Sequence, residues 1–162
     1  MVWQVRGNIV CLTYELQTTA AADAEQIYQI VKATMYEMAV AVHGSWNEGG
    51  ARRHTEEHAR SGEYQLIRCG REIAGAMLLK RHADHFQLES LYILPPWQKQ
   101  QIGSRILADI QAEARACQLP VRLRVLSNNP AREFYRHYGF VVVDSTPERF
   151  FMEYRPESGL NQ

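Results

Sequence analysis

The sequence has 162 residues and carries 18 basic and 18 acidic side chains, so its formal net charge at pH 7 is zero. This balance argues against a protein that binds the phosphate backbone of nucleic acid, because such proteins present a basic face. The hydrophobic and charged fractions, 46% and 22%, are typical of a globular protein. We expect one domain over residues 1–162, with a core from about residue 11 to residue 154 and peripheral residues 1–10 and 155–162.

No stretch approaches the ~18 apolar residues of a membrane span, and the first ten residues lack the apolar run of a signal peptide. We therefore expect a cytoplasmic protein without a membrane partner. Cys11, Cys69 and Cys117 show no CxxC or Cys/His metal spacing and lie in apolar contexts, where free cysteine behaves as a small buried hydrophobe. The sequence predicts neither a disulfide nor a metal site.

The first third of the sequence alternates between strand, helix and loop patterns. Residues 11–17 predict a strand, and Thr18 and Thr19 are candidate N-caps of a helix with apolar residues at helical spacing. A glycine-rich loop over residues 44–50 then leads into a polar helix over residues 51–60. Three strand-like runs that predict an antiparallel meander follow at residues 64–69, 73–79 and 86–94.

The second half begins with a long amphipathic helix that starts near Ile102 and carries an apolar stripe ending at Cys117. A strand over residues 121–126 precedes a short helix that starts at Pro130, with Asn129 as its cap and Gly139 as its left-handed C-terminal cap. Closing strands are predicted at residues 140–143 and 150–154. The order βαα-βββ-αβ-αββ predicts an α+β fold, with a mixed, mainly antiparallel sheet flanked by helices.

Residues 91–104 join a predicted strand to the N-terminus of the long helix. Such an end has unpaired N–H groups and a partial positive charge, which suit a pyrophosphate. Gly103 allows close approach of a ligand to the backbone, and Lys99 adds a charge. An ordinary strand–loop–helix connection with a surface lysine explains these residues equally well.

Residues 128–140 form the second informative segment. Ala131, Phe134, Tyr135 and Tyr138 fall on one apolar stripe of the short helix. Taken alone, core packing explains each of them, including Tyr135.

Together, in this order and spacing, the two segments resemble the GNAT superfamily of N-acetyltransferases. The first is similar to the pattern Gln/Arg-x-x-Gly-x-Gly/Ala at Gln98 and Gly103, with Gln101 in place of the middle glycine. If that position requires a positive φ, Gln101 costs roughly 1 kcal/mol. The second is similar to Asn-x-x-Ala-x-x-Phe/Leu-Tyr-x-x-x-Gly-Phe, and the matching residues are Asn128, Ala131, Phe134, Tyr135, Gly139 and Phe140.

The resemblance implies direct acetyl transfer from acetyl-CoA to a primary amine, without a covalent enzyme intermediate. It implies that the backbone of Leu91, Tyr92 and Ile93 pairs with the pantetheine arm, that Asn128 binds the amide arm, and that Tyr135 protonates the departing thiolate. That proton transfer is uphill by only about 1.5 pKa units, or roughly 2 kcal/mol. The residues that would hold the pyrophosphate are Lys99, Gln100, Gln101, Ile102, Gly103 and Ser104.

The sequence leaves the general base open. Ribosomal-protein alanine acetyltransferases of this superfamily carry a glutamate on the fifth strand, where this chain has Leu123. Glu89 is the best substitute because it alternates with Leu91 and Ile93 along one strand, although a solvated carboxylate near a strand end explains it as well. The other options are His85, Glu37, Glu48 or a chain of water molecules.

Glu37, Trp46 and Glu48 lie around the junction of the first two helices, where this superfamily usually builds its acceptor pocket. An aromatic wall with carboxylates suits a cationic amine, although a hydrophobic anchor in a polar loop is the alternative for Trp46. The sequence identifies neither the amine nor the oligomeric state, and a homodimer stays open. The rival functions are a non-catalytic acyl-CoA sensor and an interaction domain of the same fold.

Overall fold

The computed structural model describes residues 10–157, so the outer parts of the predicted periphery, residues 1–9 and 158–162, lie outside the described chain. Within it, one sheet has the strand order β1-β2-β3-β4-β5-β7-β6. The strands and helices are β1 (Glu15–Thr18), α1 (Ala24–His43), α2 (Glu48–Arg60), β2 (Tyr64–Cys69), β3 (Glu72–Arg81), β4 (Phe86–Ile93), α3 (Ile102–Cys117), β5 (Val121–Leu126), α4 (Ala131–His137), β6 (Val141–Ser145) and β7 (Arg149–Tyr154). The predicted α+β fold and its element order are confirmed.

The described chain divides into two compact units. The first comprises residues 10–35, 47–78 and 90–106, and the second comprises residues 36–46, 79–89 and 107–157. Strands β1 and β2 and helix α2 belong to the first unit, and β5, α4, β6 and β7 belong to the second. The prediction of a single domain over residues 1–162 stays a prediction.

In the first unit, β2 is the centre of an antiparallel arrangement. It pairs with β1 from Glu15–Arg68 to Thr18–Gln65, and it also pairs antiparallel with β3. Leu66 and Ile67 of β2 are almost fully buried, and Ile27 and Ile30 of α1 are not exposed at all. Burial of such side chains stabilises the unit by about 1.5–3 kcal/mol each.

In the second unit, β5 has a parallel and an antiparallel neighbour. Its parallel ladder with β4 runs from Phe86–Val121 to Leu88–Leu123, and its antiparallel ladder with β7 covers the whole strand. Parallel strands cannot be joined by a hairpin, and α3 provides the crossover between β4 and β5. The sheet is therefore mixed but mainly antiparallel, as predicted.

The predicted caps of the first long helix are wrong. Thr18 ends β1, and the buried hydroxyl of Thr19 donates a hydrogen bond to the carbonyl of Tyr64 at 2.7 Å. A buried hydroxyl needs such a partner, and here the strand supplies it. A 3-10 turn precedes α1, and the carboxylate of Asp23 accepts the N–H of Ala20 at 2.8 Å. The first strand is also shorter than predicted, because β1 begins at Glu15 rather than at residue 11.

Helix α2 begins at Glu48, three residues before the predicted start at residue 51. The side chain of Asn47 accepts the N–H of Gly50 at 3.0 Å and caps the helix. Gly49 and Gly50 therefore belong to the first helical turn and not to the predicted loop. The cap at Asn47 outweighs the low helix propensity of the two glycines.

The expectation for the cysteines is wrong in two ways. Cys11 and Cys69 are buried, as predicted, but they form a disulfide across 58 residues of sequence. This pairing arises because the segment before β1 meets the end of β2, and the spacing along the chain carries no sign of it. Cys117 was placed on the buried stripe of α3, yet it is exposed as the last residue of the helix.

Candidate active site

A short, well-anchored connection joins β4 to α3. The N–H of Leu94 donates to the carbonyl of Ala74 on β3 at 2.8 Å, and the N–H of Trp97 donates back to Leu94 at the same distance. Trp97 is only 3% exposed, and Pro95–Trp97 form a 3-10 turn. The strand–turn–helix arrangement expected at residues 91–104 is present.

Two residues of this connection have left-handed backbone conformations. Lys99 has a φ of 64° and Gln101 has a φ of 63°, and both are exposed. The position of the missing glycine therefore does require a positive φ, which costs an L-residue roughly 1–2 kcal/mol. Left-handed residues in a turn are typical of backbone concavities that bind anions, and this one leads directly into the positive end of a helix.

Arg105 links the connection between β4 and α3 to the segment before β1. Its guanidinium donates hydrogen bonds to the carbonyls of Leu12 at 2.6 Å, Cys11 at 2.8 Å, Gln101 at 3.3 Å and Gln100 at 3.4 Å. Sequence reasoning missed this residue. The signal that could have found it is a cation near the N-terminus of a helix, where the helix dipole is unfavourable unless other groups compensate.

The end of β4 is held in place by β3 and by Gln98. A Cβ atom at Gly75 would meet the carbonyl oxygen of Tyr92 at 1.9 Å, so only glycine fits there. The side-chain amide of Gln98 donates to the carbonyl of Ile93 at 2.9 Å. The contact at Gly75 and the hydrogen bond from Gln98 position the backbone of Tyr92 and Ile93, and the side chains here are half-buried.

In the second unit, Glu89 directly follows the last residue of the β4–β5 ladder. Its side chain is 22% exposed, and one carboxylate oxygen lies 3.6 Å from the Nη2 atom of Arg124. Leu123, which the resemblance matches to the fifth-strand glutamate, is 3% exposed and pairs in register with Leu88 and Met152. It is a core residue with no group that can accept a proton.

Tyr135 lies on the buried side of α4 and is 6% exposed. Its ring makes edge contacts with Phe134 at 5.3 Å and Phe140 at 5.5 Å between centroids. The helix ends as predicted, because Gly139 has a φ of 88° and the N–H of Phe140 donates to the carbonyl of Tyr135 at 3.1 Å. This end fixes the ring of Tyr135 among aromatic neighbours.

The two asparagines before α4 have separate roles. The side-chain amide of Asn128 donates to the carbonyl of Met38 on α1 at 3.2 Å, and Asn128 is exposed. The side-chain oxygen of Asn129 accepts the N–H of Ala131 at 2.9 Å, but the prediction of Asn129 as the N-cap is wrong, because Pro130 holds that position. The helix itself begins at Ala131 rather than at Pro130.

Of the predicted acceptor residues, Glu37 and Trp46 belong to the second unit. Glu37 is exposed on α1, and the ring of Trp46 lies 5.7 Å from that of Tyr36. The two rings form an aromatic pair at the end of α1.

Glu48 belongs to the first unit, where other groups already bind it. It accepts the hydroxyl of Tyr28 at 3.2 Å, and its carboxylate lies 3.6 Å from the guanidinium of Arg52. That guanidinium also stacks 3.9 Å above the Tyr28 ring and binds Glu25 at 2.7 Å. Hydrogen bonds from Gln29 and from Arg52 lower the pKa of Glu25.

His85, an alternative base, lies in the turn between β3 and β4. Its ring stacks on that of His82 at 4.6 Å, and its Nδ1 atom lies 2.7 Å from the carboxylate of Asp84. The hydrogen bond with His85 lowers the pKa of the Asp84 carboxyl. Over residues 10–157, no group of three or more His, Cys, Asp and Glu side chains is arranged to bind a metal ion, and no helix is long and apolar enough to cross a membrane.

Comparison with known proteins gives the family. The family model described as acetyltransferase (GNAT) domain matches residues 31–154, which is most of the chain. No curated protein matches the sequence significantly.

Solved acetyltransferase structures share the fold over almost their whole length. An acetyltransferase from Thermus thermophilus is 20% identical, with a TM-score of 0.71, over 91% of this chain and 99% of that one. The PaiA N-acetyltransferase from Thermoplasma acidophilum, solved with coenzyme A, is 19% identical, with a TM-score of 0.68, over 89% and 99%. The ribosomal-protein-S18-alanine N-acetyltransferase from Escherichia coli is 16% identical, with a TM-score of 0.64, over 93% and 99%. Identities this low establish a shared fold, and the family model, which covers both motif segments, supplies the conclusion that the chain belongs to the GNAT family of acetyltransferases.

Proposed function

We propose that this protein transfers the acetyl group of acetyl-CoA directly to a primary amine. The observation that carries the proposal is the connection from β4 to α3, where left-handed residues at Lys99 and Gln101 lead into a helix N-terminus. Membership of the GNAT family and the coenzyme A bound by the PaiA relative support the choice of ligand.

The backbone at the start of α3 would bind the pyrophosphate. The first N–H groups of any α-helix have no intrahelical acceptor, and they point towards a ligand at its N-terminus. Gln100, Gln101, Ile102, Gly103 and Ser104 would contribute main-chain groups, and Lys99 would add a charge. These residues suit a doubly charged, oxygen-rich ligand.

The backbone of Leu91, Tyr92 and Ile93 would bind the pantetheine arm as an added strand. The β4–β5 ladder ends at Leu88, whereas β4 continues to Ile93, which favours this role. Asn128 would bind the amide arm through its side-chain oxygen, because its NH₂ group donates to Met38.

Tyr135 would donate its proton to the sulfur of the departing coenzyme A as the carbon–sulfur bond breaks. Glu89 would accept the proton that the acceptor ammonium loses before the amine attacks the thioester carbon. N–H groups of β4 would polarise the thioester carbonyl, and positioning of both reactants would supply much of the acceleration. Arg124 would share the Glu89 carboxylate with the incoming ammonium.

Glu37, Trp46 and Glu48 would bind the acceptor. The Trp46 ring, supported by Tyr36, offers a face for a cationic amine, and the exposed carboxylate of Glu37 offers a charge. Glu48 has less to contribute, because Tyr28 and Arg52 already bind it.

Calorimetric titration with acetyl-CoA tests the proposal. Gly103→Val introduces a branched side chain where the phosphates approach the first turn of α3, and it should weaken binding by at least about tenfold, or about 1.4 kcal/mol. Ala112→Val is the matched control, because it adds a valine at an exposed position of the same helix, and it should leave binding unchanged. Equal binding by all three proteins would place the phosphates elsewhere, and a wild type that binds no acetyl-CoA would refute the proposal.

The second candidate function is an acyl-CoA sensor without turnover. The strained Gln101 and the buried Leu123 favour it, because each departs from a family pattern. Binding of acetyl-CoA combined with no acetyl transfer to any amine would support this alternative.

A further inference from the structure

The segment that precedes β1 is fastened to the connection between β4 and α3. Cys11 is bonded to Cys69 at the end of β2, and its N–H donates to the side-chain oxygen of Gln100 at 3.1 Å. Its carbonyl accepts a hydrogen bond from Arg105 at 2.8 Å. Residues 10–13, Cys69, Gln100 and Arg105 together form what we call the clasp.

Arg105 bonds this segment to the connection between β4 and α3. The same guanidinium that binds the carbonyls of Cys11 and Leu12 also binds those of Gln100 and Gln101. Gln101 is one of the two left-handed residues, and such conformations persist only where surrounding contacts over-determine them. The clasp therefore holds the backbone that the proposed pyrophosphate site uses.

The segment depends on the disulfide for its own position. It precedes the first strand, and Val10 and Leu12 are 66% and 82% exposed, whereas Cys11 is 5% exposed. The buried anchor of the segment is thus Cys11 itself, and a covalent bond holds it there. Without that bond, exposed residues held by a few hydrogen bonds would have to stay ordered against the gain in chain entropy.

We propose that the Cys11–Cys69 disulfide is a reversible redox site that controls the affinity for acetyl-CoA, and this inference rests on the proposed function. A dithiol reductant attacks one sulfur, forms a mixed disulfide, and then leaves as its own intramolecular disulfide. The protein gains two electrons and two protons in this exchange and is left with two thiols. The segment then separates, Arg105 loses two of its acceptors, and Lys99 and Gln101 relax from their left-handed conformations.

Titration of the oxidised and the reduced protein with acetyl-CoA tests the inference. Reduction by excess dithiothreitol should raise the Kd by about tenfold, within the usual range of coupling between sites. The double variant Cys11→Ser/Cys69→Ser should bind like the reduced wild type, with or without reductant. Cys117→Ser is the control, because it removes the exposed free thiol and should keep the full redox response.

The coupling is also measurable in reverse, on reduced protein that keeps its far-ultraviolet circular dichroism. Because linkage is reciprocal, saturating acetyl-CoA should shift the equilibrium between disulfide and dithiothreitol towards the disulfide by the same factor as the Kd. Thiol titration in dithiothreitol redox buffers, with and without acetyl-CoA, measures this shift.

Each outcome decides the inference. Equal Kd values for the oxidised and reduced proteins would overturn the redox control by the disulfide and leave the proposed function intact. No binding by either form would overturn both. Loss of the far-ultraviolet circular dichroism on reduction would show a disulfide that maintains the fold, which would also overturn its role as a switch.

Discussion

The carbonyl oxygen of Tyr92 occupies the space that a side chain at residue 75 would need. A Cβ atom on Gly75 would lie 1.9 Å from that oxygen, far inside any van der Waals contact. Strand β4 therefore approaches β3 closely at the point where its backbone is proposed to bind the pantetheine arm.

Gly75→Ala should push the end of β4 outwards. We expect a loss of about 1–3 kcal/mol in the free energy of unfolding, the usual cost of overpacking, together with a higher KM for acetyl-CoA. Urea unfolding and steady-state kinetics measure the two effects. Gly49→Ala on α2 is the control, and it should raise stability by up to about 1 kcal/mol because alanine is the better helix former. If Gly75→Ala changed neither the free energy of unfolding nor the KM for acetyl-CoA, the close approach of β4 to β3 would be contradicted.

Gln101→Gly should relieve the strain of a positive φ. We expect the free energy of unfolding to rise by about 0.5–1 kcal/mol, because glycine adopts the left-handed conformation without a Cβ clash, although it loses more chain entropy on folding. Gln118→Gly is the matched control at the other end of α3, where φ is 54°. Both variants should gain stability in urea unfolding, and Gln101→Gly alone should change the affinity for acetyl-CoA. If neither gained stability, the strain argument would be wrong.

Glu89→Gln tests the general base. The carboxamide cannot accept a proton, so kcat/KM should fall most at low pH and recover partly at high pH, where the amine deprotonates itself. Glu133→Gln is the control, because Glu133 is also paired with an arginine but lies on the exposed face of α4. A pH–rate profile for Glu89→Gln that overlays the wild type would remove Glu89 from the mechanism.

Tyr135→Phe distinguishes two roles of Tyr135, that of a general acid and that of a residue that only packs in the core. The substitution keeps the ring and its contacts with Phe134 and Phe140, and stability should change by no more than about 1 kcal/mol. If Tyr135 is the acid, kcat should fall by roughly 10²-fold or more while the Kd for acetyl-CoA holds, and a thioester with a more acidic thiol should lose less.

Tyr138→Phe removes a hydroxyl from the residue that directly follows α4 and should leave kcat unchanged. Normal turnover by Tyr135→Phe, under conditions where chemistry limits the rate, would rule out the proposed role of Tyr135.

The sequence predicted those parts of the fold that depend on local patterns. Strands β2 and β5 begin and end at the predicted residues, because Gly62, Gly70 and Pro120 interrupt the chain beside them. Tyr135 was expected on the buried stripe of α4, and the cap at Gly139 fixes it there.

The features that the sequence did not reveal depend on contacts between distant segments. Cys11 and Cys69 are joined across 58 residues, and Arg105 reaches carbonyls more than 90 positions away. Neither contact leaves a periodic trace in the sequence. The pairing of Glu48 with Tyr28 and Arg52 is of the same kind, because it requires α1 and α2 to be packed together.

Amine-dependent release of the coenzyme A thiol tests the central claim most directly. The measurement uses the oxidised wild-type protein, acetyl-CoA and a panel of protein N-terminal peptides, lysine peptides, amino acids, polyamines and aminoglycosides, with mass spectrometry of the product. The account predicts thiol release that requires one class of primary amine and yields the N-acetylated amine in equal amount. Tight binding of acetyl-CoA without release above the rate of spontaneous hydrolysis, whichever amine is added, would contradict it.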